Sequence, residues 1–145
     1  IRESVLCWLA TASQNGEPNV SPKEMFIANG NEHILIANIA SPNSVRNIRS
    51  NPSVCLSFIN VFKQKGFKVK GIAKVIEPSS PDYSSKELVL RTLGGEQFEI
   101  KGIIEVQVKN ISAVVAPSYN LFPETTETSQ VQQAMDTYGV QPKNV

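Results

Sequence analysis

The sequence predicts a mainly β protein: a six-stranded antiparallel barrel decorated with two or three helices. Three observations predict it. Asn15-Gly16 and Asn29-Gly30 separate runs of strand-forming residues, and an Asn-Gly pair between such runs is a strong hairpin signal. The stretch from Phe67 to Ile76 alternates, with Phe67, Val69, Gly71, Ala73 and Val75 on one face and Lys68, Lys70 and Lys74 sharing the other with Ile72 and Ile76. The segments with helical spacing are short and fall between strands, so they decorate a sheet rather than form a bundle.

Bulk composition sets the limits. A chain of 145 residues suits one domain, 1–145, divided into a barrel core over 1–116 and a C-terminal aromatic segment with a helix over 117–145. A hydrophobic share of 41% and a charged share of 19% belong to an ordinary globular protein. A net charge of +1 gives no electrostatic case for nucleic acid or an anionic membrane. Cys7 and Cys55 lie far apart in apolar runs without metal-ligand spacing, which suggests reduced thiols in a cytoplasmic protein. No apolar run reaches the roughly 18 residues of a spanning helix, and no charged-then-apolar leader is visible.

In chain order, Ile1 to Ser4 read as the last turn of a preceding element. Val5 to Ser13 is apolar on both faces and is predicted to be a buried strand. Asn19 to Ala28 follows as a second strand, with Pro22 marking an edge or bulge, and Ile34 to Ile39 as a third. Two Asn-Gly turns joining three strands make an antiparallel meander. Ser41-Pro42 then starts a helix, serine as N-cap and proline as first residue, and Asn51-Pro52 stops it. Val45 and Ile48 are its apolar stripe. Val54 to Ile59 is the fourth strand, Lys63 to Gly66 a turn, and Phe67 to Ile76 the fifth strand, where Gly71 allows the coiling a barrel needs. Asp82 to Leu93 reads as a helix with Tyr83, Leu88, Val89 and Leu93 inward, stopped by Gly94-Gly95. Ile103 to Val115 is the last strand. Pro117 to Pro123 is an aromatic segment bracketed by prolines, and Glu127 to Tyr138 an amphipathic helix ended by Gly139; together they cover the barrel's end or dock on a second subunit.

Catalytic constellations are sparse. His33 is the only histidine and lies at a turn, no metal-ligand cluster exists, and the carboxylates are scattered. Lysines 63, 65, 68, 70 and 74 form a basic strip beside Phe62 and Phe67 that could track an RNA backbone, but at near-neutral net charge they read as the solvent face of a hairpin. The unusual feature is the start of the first helix. Helix starts attract acidic side chains, yet no Asp or Glu occurs between Asn38 and Pro52, while Asn43, Ser44, Arg46, Asn47 and Arg49 do. That chemistry suits a phosphate. It also suits a surface helix whose end is satisfied by Ser41 and water. Lys23, after Ser21-Pro22, is the other candidate, either an exposed strand lysine or a charge placed against an anionic or electron-accepting ring. A chain without acid–base or metal machinery can still do chemistry through a cofactor.

The run HILIANIASPNSVRNIRSNPSVCLSF, with LATASQNGEPNVSPKEMF before it and KGFKVKGIAKVIE after it, resembles the FMN-binding split barrels related to pyridoxamine 5'-phosphate oxidase. The tail VVAPSYNLFPETTE with MDTYGVQP is similar to a subgroup of small bacterial members. The resemblance spans nearly the whole chain. It implies a six-stranded split barrel and a homodimer with FMN at the interface, each flavin touched by both chains. By motif position it assigns the flavin phosphate to Ser41, Asn43 and Ser44, with Arg46 and Asn47 beside them. It places Ile36, Ala37 and Asn38 along the flavin, Ser21, Pro22 and Lys23 beside the isoalloxazine ring, and Gln64, Lys65 and Gly66 at a further polar contact.

Two departures from the family pattern narrow the expectation. The oxidases themselves carry Arg-Lys at the phosphate turn, where Asn43-Ser44 stands here, and an arginine in the C-terminal segment, where Pro117 to Val145 has none. Charge-assisted bonds are among the strongest available, so their loss argues against pyridoxamine 5'-phosphate oxidation and leaves flavin binding intact. The expected function is that of an FMN-dependent oxidoreductase acting on a small molecule through hydride transfer at flavin N5, with Lys23 stabilising the reduced ring. A non-catalytic flavin carrier or redox sensor is the alternative, and a deazaflavin or haem could occupy the same barrel.

Overall fold

The computed structural model describes residue 1 and residues 4–142. The turn expected at residues 1–4 therefore lies partly outside the described residues, as does the end of the tail. Seven strands and four helices follow in order: β1 (Cys7–Ala12), β2 (Pro18–Lys23), β3 (Phe26–Asn29), β4 (His33–Asn38), α1 (Pro42–Ser50), β5 (Ser53–Asn60), β6 (Lys65–Ile76), α2 (Tyr83–Arg91), β7 (Gly102–Val115), α3 (Ser118–Leu121) and α4 (Glu127–Tyr138).

All strand pairs are antiparallel, in the order β2-β1-β5-β6-β7-β4-β3. The expected second strand, Asn19 to Ala28, is in fact two. It breaks at Glu24-Met25, so β2 pairs only with β1 and β3 only with β4. Seven strands replace six, and the meander becomes two hairpins at opposite sheet edges. Only two residues join those edges, and two residues reach no further than about 10 Å between flanking Cα atoms. The sheet must therefore curl until its edges meet, which makes a barrel split between β2 and β3.

β4 shows why an apolar run is needed there. Ile34 and Ile36 face the barrel interior with Leu9, Phe26, Leu56 and Phe58, while Leu35 and Ala37 face a second cluster under α2 with Tyr83, Leu90 and Ile103. Both faces are buried. α2 presents Tyr83 and Leu90 rather than Leu88, which is exposed, and the Tyr83 hydroxyl donates to the Ile100 carbonyl at 2.7 Å. Leu93, also expected inward, is largely exposed beyond the helix end. α1 follows the predicted bounds and sends Ile48 into the barrel core, a burial that contributes about 1.5–3 kcal/mol.

β6 alternates as expected from Val69 to Ala73, although Phe67, expected on the same inward face, is half exposed. The coiling expected at Gly71 takes the form of a β-bulge between Lys70 and Gly71 in the β6–β7 pairing. At the far end, α4 starts with a reciprocal capping box between Thr126 and Ser129 and ends at Gly139 in the left-handed region. Glu127 pairs with Lys63 and Lys65, and the Tyr119 hydroxyl donates to the Lys63 carbonyl at 2.8 Å. These contacts fix the tail against the β5–β6 turn. No helix among the described residues is long and apolar enough to cross a membrane.

Candidate functional site

β2 is amphipathic in the reverse sense. Its inward positions are Asn19, Ser21 and Lys23, while Val20 and Pro22 face outward, Val20 at 57% exposure. An inward polar face breaks the usual strand pattern, and such breaks concentrate at functional sites. Here the polar face meets α1. Asn19 Nδ2 donates to Thr11 Oγ1 at 3.1 Å and to Ser44 Oγ at 3.3 Å, Ser21 Oγ and Ser44 Oγ are 2.9 Å apart, and Asn47 Nδ2 donates to Thr11 Oγ1 at 3.1 Å. Lys23 Nζ donates to Ser41 Oγ at the helix start.

Lys23 is not the exposed strand lysine that residue type alone suggests: it is 5% exposed. Burial holds its amine below the ordinary lysine value, partly offset by the neighbouring Cys7. Among the described residues no carboxylate pairs with it, so its charge is met only by the Ser41 hydroxyl. Ser41 makes no side-chain cap to its own helix, and the first turn of α1 carries no acidic residue. A buried cation beside an uncompensated positive helix end suits an anion.

The predicted site residues separate into distinct groups. Pro22, Lys23, Ala37 and Ser41 line one cleft of about 260 Å³, together with Met25, Ile39 and Phe98. Asn43 and Arg46 are exposed on α1, the guanidinium bonded to the Asn43 side-chain amide oxygen, and line a separate, smaller depression together with Glu17, Asn19 and Asn47. Ser21 lies behind these, bonded to Ser44. Ser44 and Asn47 point inward and are buried, so their side chains tie α1 to the barrel, with Asn47 at the edge of the Asn43–Arg46 depression. Ile36 is fully buried in the core. Asn38 ends β4 with its Oδ1 buried and without a hydrogen-bond donor among the described residues. The expected turn from Lys63 to Gly66 ends at Gln64, because Lys65 and Gly66 already pair with Asn60 and Ile59 as the start of β6, three strands from β2; Gln64 lines a separate cleft against α4.

Sequence reasoning missed Thr11, which accepts from both Asn19 and Asn47, and Phe98, which the chain brings in from the loop after α2. The i, i+2 polar spacing of Asn19, Ser21 and Lys23 was a usable signal. Nothing in the local sequence marks Phe98.

The sequence profile of pyridoxamine 5'-phosphate oxidase matches residues 1–114. The chain belongs to the pyridoxamine 5'-phosphate oxidase family. Solved structures share this family member's split-barrel fold. An FMN-binding protein from Syntrophomonas wolfei subsp. wolfei is 13% identical, with 79% of this chain and 80% of that one covered at a TM-score of 0.67. HupZ from Group A Streptococcus is 17% identical over 80% and 92%, at 0.66. HutZ, the heme storage protein from Vibrio cholerae, is 23% identical over 79% and 87%, at 0.62. At these identities the likeness concerns the fold. No curated protein matches the chain.

The residues of this family member fit a phosphate-bearing cofactor on three counts: the buried Lys23 charge, the α1 start without acidic residues, and the exposed Asn43–Arg46 pair beside it.

Proposed function

We propose that this protein binds FMN and works as an FMN-dependent oxidoreductase on a small molecule. The observation that supports it most is the inward polar face of β2, which ends in Lys23 bonded to Ser41 at the start of α1. The α1 backbone N–H groups, the Ser41 hydroxyl, Asn43 and Arg46 hold the phosphate end, and Lys23 supplies the buried positive charge of the adjoining cleft. Bound FMN supplies hydride exchange at N5. The protein's part is to bind, orient and electrostatically tune the ring.

A homodimer completes this reading. Trp8 and Val20 stand exposed on the outward face of β1–β2, Trp8 opposite Pro22 and Val20 two residues before it, and a second copy that covers them brings its own residues to the flavin. The Gln64–Gly66 segment at the start of β6, three strands from Lys23 within one chain, then serves its partner's flavin. Free Cys7 and Cys55 suit a reducing cytoplasm. Haem is the weaker occupant, because His33 begins β4 and does not line the Lys23 cleft.

Titration with FMN and riboflavin tests the proposal. FMN is expected to bind at least about tenfold more tightly, since one charge-assisted phosphate contact contributes roughly 1.5–3 kcal/mol. A protein that takes up neither flavin overturns it. Flavin bound but not reduced by NADH or NADPH makes the protein a carrier or sensor, and pyridoxal phosphate formation from pyridoxamine phosphate restores the oxidase activity that the missing arginines argue against.

A further inference from the structure

The cleft against α4 lies apart from Lys23 and from every residue assigned to the flavin phosphate. It measures about 360 Å³ and is bounded by the β5–β6 turn, the chain leaving β7 and the C-terminal half of α4. Three ties fix its walls, and a preformed site costs less to fill. The Ala116 N–H donates to the Gln64 carbonyl at 3.0 Å, joining the turn to the chain after β7. Lys65 pairs with Glu127 at 2.9 Å, and the Phe62 and Tyr138 rings meet edge to face with centroids 6.0 Å apart, joining the turn to α4. Ser118 Oγ donates to Gln130 Oε1 at 2.8 Å, joining the chain after β7 to α4.

Gln130 is the informative member. It is 4% exposed, yet only half of its amide is satisfied. Ser118 takes up the oxygen, while Nε2 donates to no acceptor among the described residues. That nitrogen is not sealed in the interior, where Asn38 Oδ1 is the one unpaired side-chain atom among the described residues. It therefore opens on the cleft that Gln130 lines. A donor on so buried a residue costs stability while unpaired, so it is placed for an acceptor from outside the chain. Gln133, almost one turn further along α4, lines the same cleft, and its side-chain amide also makes no hydrogen bond among the described residues. None of the lining residues is charged. α4 has no basic residue in its last turn, and the carbonyl end of a helix disfavours an anion.

We propose that this cleft binds a small neutral amide. The ligand's carbonyl oxygen accepts from Gln130 Nε2, its N–H donates to Gln133 Oε1, and its hydrocarbon body packs on Pro117 and Tyr138. Both bonds come from α4, so the proposal is independent of the FMN reading, which gives Gln64 to the flavin of a second copy.

Cyclohexanecarboxamide and cyclohexanecarboxylate, alike in shape and different in charge, test it on the protein as purified. The side-chain amide signals of Gln130 and Gln133, followed by heteronuclear NMR, are expected to shift saturably with the amide, at a dissociation constant of about 10 mM or tighter. The carboxylate is expected to bind at least about fivefold more weakly. Gln133→Ala, at an exposed position, is expected to weaken the amide about threefold without moving the thermal midpoint, and Gln130→Met about tenfold. Should Gln130→Met fail to fold, the wild-type Gln130 signal still decides. Carboxylate binding as tight as that of the amide, shifts that spare Gln130, an affinity unchanged in Gln133→Ala, or no saturation by the amide each overturns the proposal. Saturation with those shifts and that order of affinities upholds it, whether or not the protein binds FMN.

Discussion

Cys7 and Lys23 face each other across the β1–β2 pair, both buried, and burial drives each toward its neutral form. The thiol is pushed from its ordinary 9.0 up to about 12, and the amine is lowered from 10.5. The consequences for stability have opposite signs. Between the folded pKa of Lys23 and 10.5 the unfolded chain binds more protons, so stability rises with pH there. Between 9.0 and about 12 the folded chain keeps the Cys7 proton that the unfolded chain loses, so stability falls.

Lys23→Met therefore should raise the stability of the ligand-free protein at neutral pH by about 1 kcal/mol, by removing a buried charge, and should abolish the rising limb of its alkaline stability profile. The same variant should lose at least about tenfold in FMN affinity. Urea melts across alkaline pH check the first statement and flavin titration the second. Cys7→Ala should remove the falling limb and leave the rising one.

Neighbouring positions on α1 should divide cleanly between folding and binding. Ser44→Ala removes a buried hydroxyl bonded to Asn19 and Ser21, so it should cost about 1 kcal/mol of stability and change FMN affinity less than about twofold. Arg46→Ala removes an exposed guanidinium, so it should leave stability within about 0.5 kcal/mol and weaken FMN about tenfold at low salt, less as salt rises.

Glu105 ties α2 to the sheet. It sits opposite Lys74 on β6, reaches Lys74 and Lys86 at 2.9 Å each, and its side chain is 8% exposed. Burial pushes its carboxyl up, but the hydrogen bonds from Lys74 and Lys86 outweigh it and leave it below the ordinary 4.5. A depressed carboxyl stabilises above its unfolded pKa, and that stabilisation is lost as pH falls through the folded one. Glu105→Gln should cost about 2 kcal/mol at pH 7, discounted for the exposed Lys74 side, and the gap to wild type should close below pH 4.5.

Local chemistry made much of the fold legible. Asn15-Gly16 and Asn29-Gly30 gave the two hairpins, Ser41-Pro42 and Asn51-Pro52 the limits of α1, and Gly139 the end of α4. The break at Glu24-Met25 was hidden because its cause is barrel closure, a property of the whole sheet, and those residues carry no turn signal. Leu88 was misplaced because helical spacing gives the width of an apolar face but not which neighbour covers it. The candidate site followed the same division. That Ser41, Asn43 and Arg46 stand at a helix start lacking acids could be read, whereas the inward turn of Ser44 and the arrival of Phe98 depend on packing that joins distant segments.

Gly66 should be intolerant of any side chain. It pairs with Ile59, and a Cβ there would lie 1.9 Å from the Phe58 carbonyl oxygen, a backbone atom that cannot swing aside. Gly66→Ala must move the β5–β6 ladder and should cost about 3 kcal/mol or more, seen as a lowered urea midpoint or loss of soluble protein.

Gln64, two residues earlier, should respond in the opposite direction. Among the described residues it is the one non-glycine residue with positive φ, at +52°, held by its N–H bonded to the Asn60 carbonyl at 2.7 Å and its carbonyl accepting from Ala116 N–H at 3.0 Å. A side chain in that region costs roughly 1–2 kcal/mol, and glycine removes the cost while adding unfolded-chain entropy. Gln64→Gly should therefore raise stability by about 0.5–1 kcal/mol at an unchanged urea m-value, while Gln64→Ala, equally strained, should not. If the turn serves the flavin of a second copy, Gln64→Gly should pair its added stability with FMN affinity weakened several-fold. A more stable variant that binds FMN as well as wild type would remove Gln64 from the cofactor site.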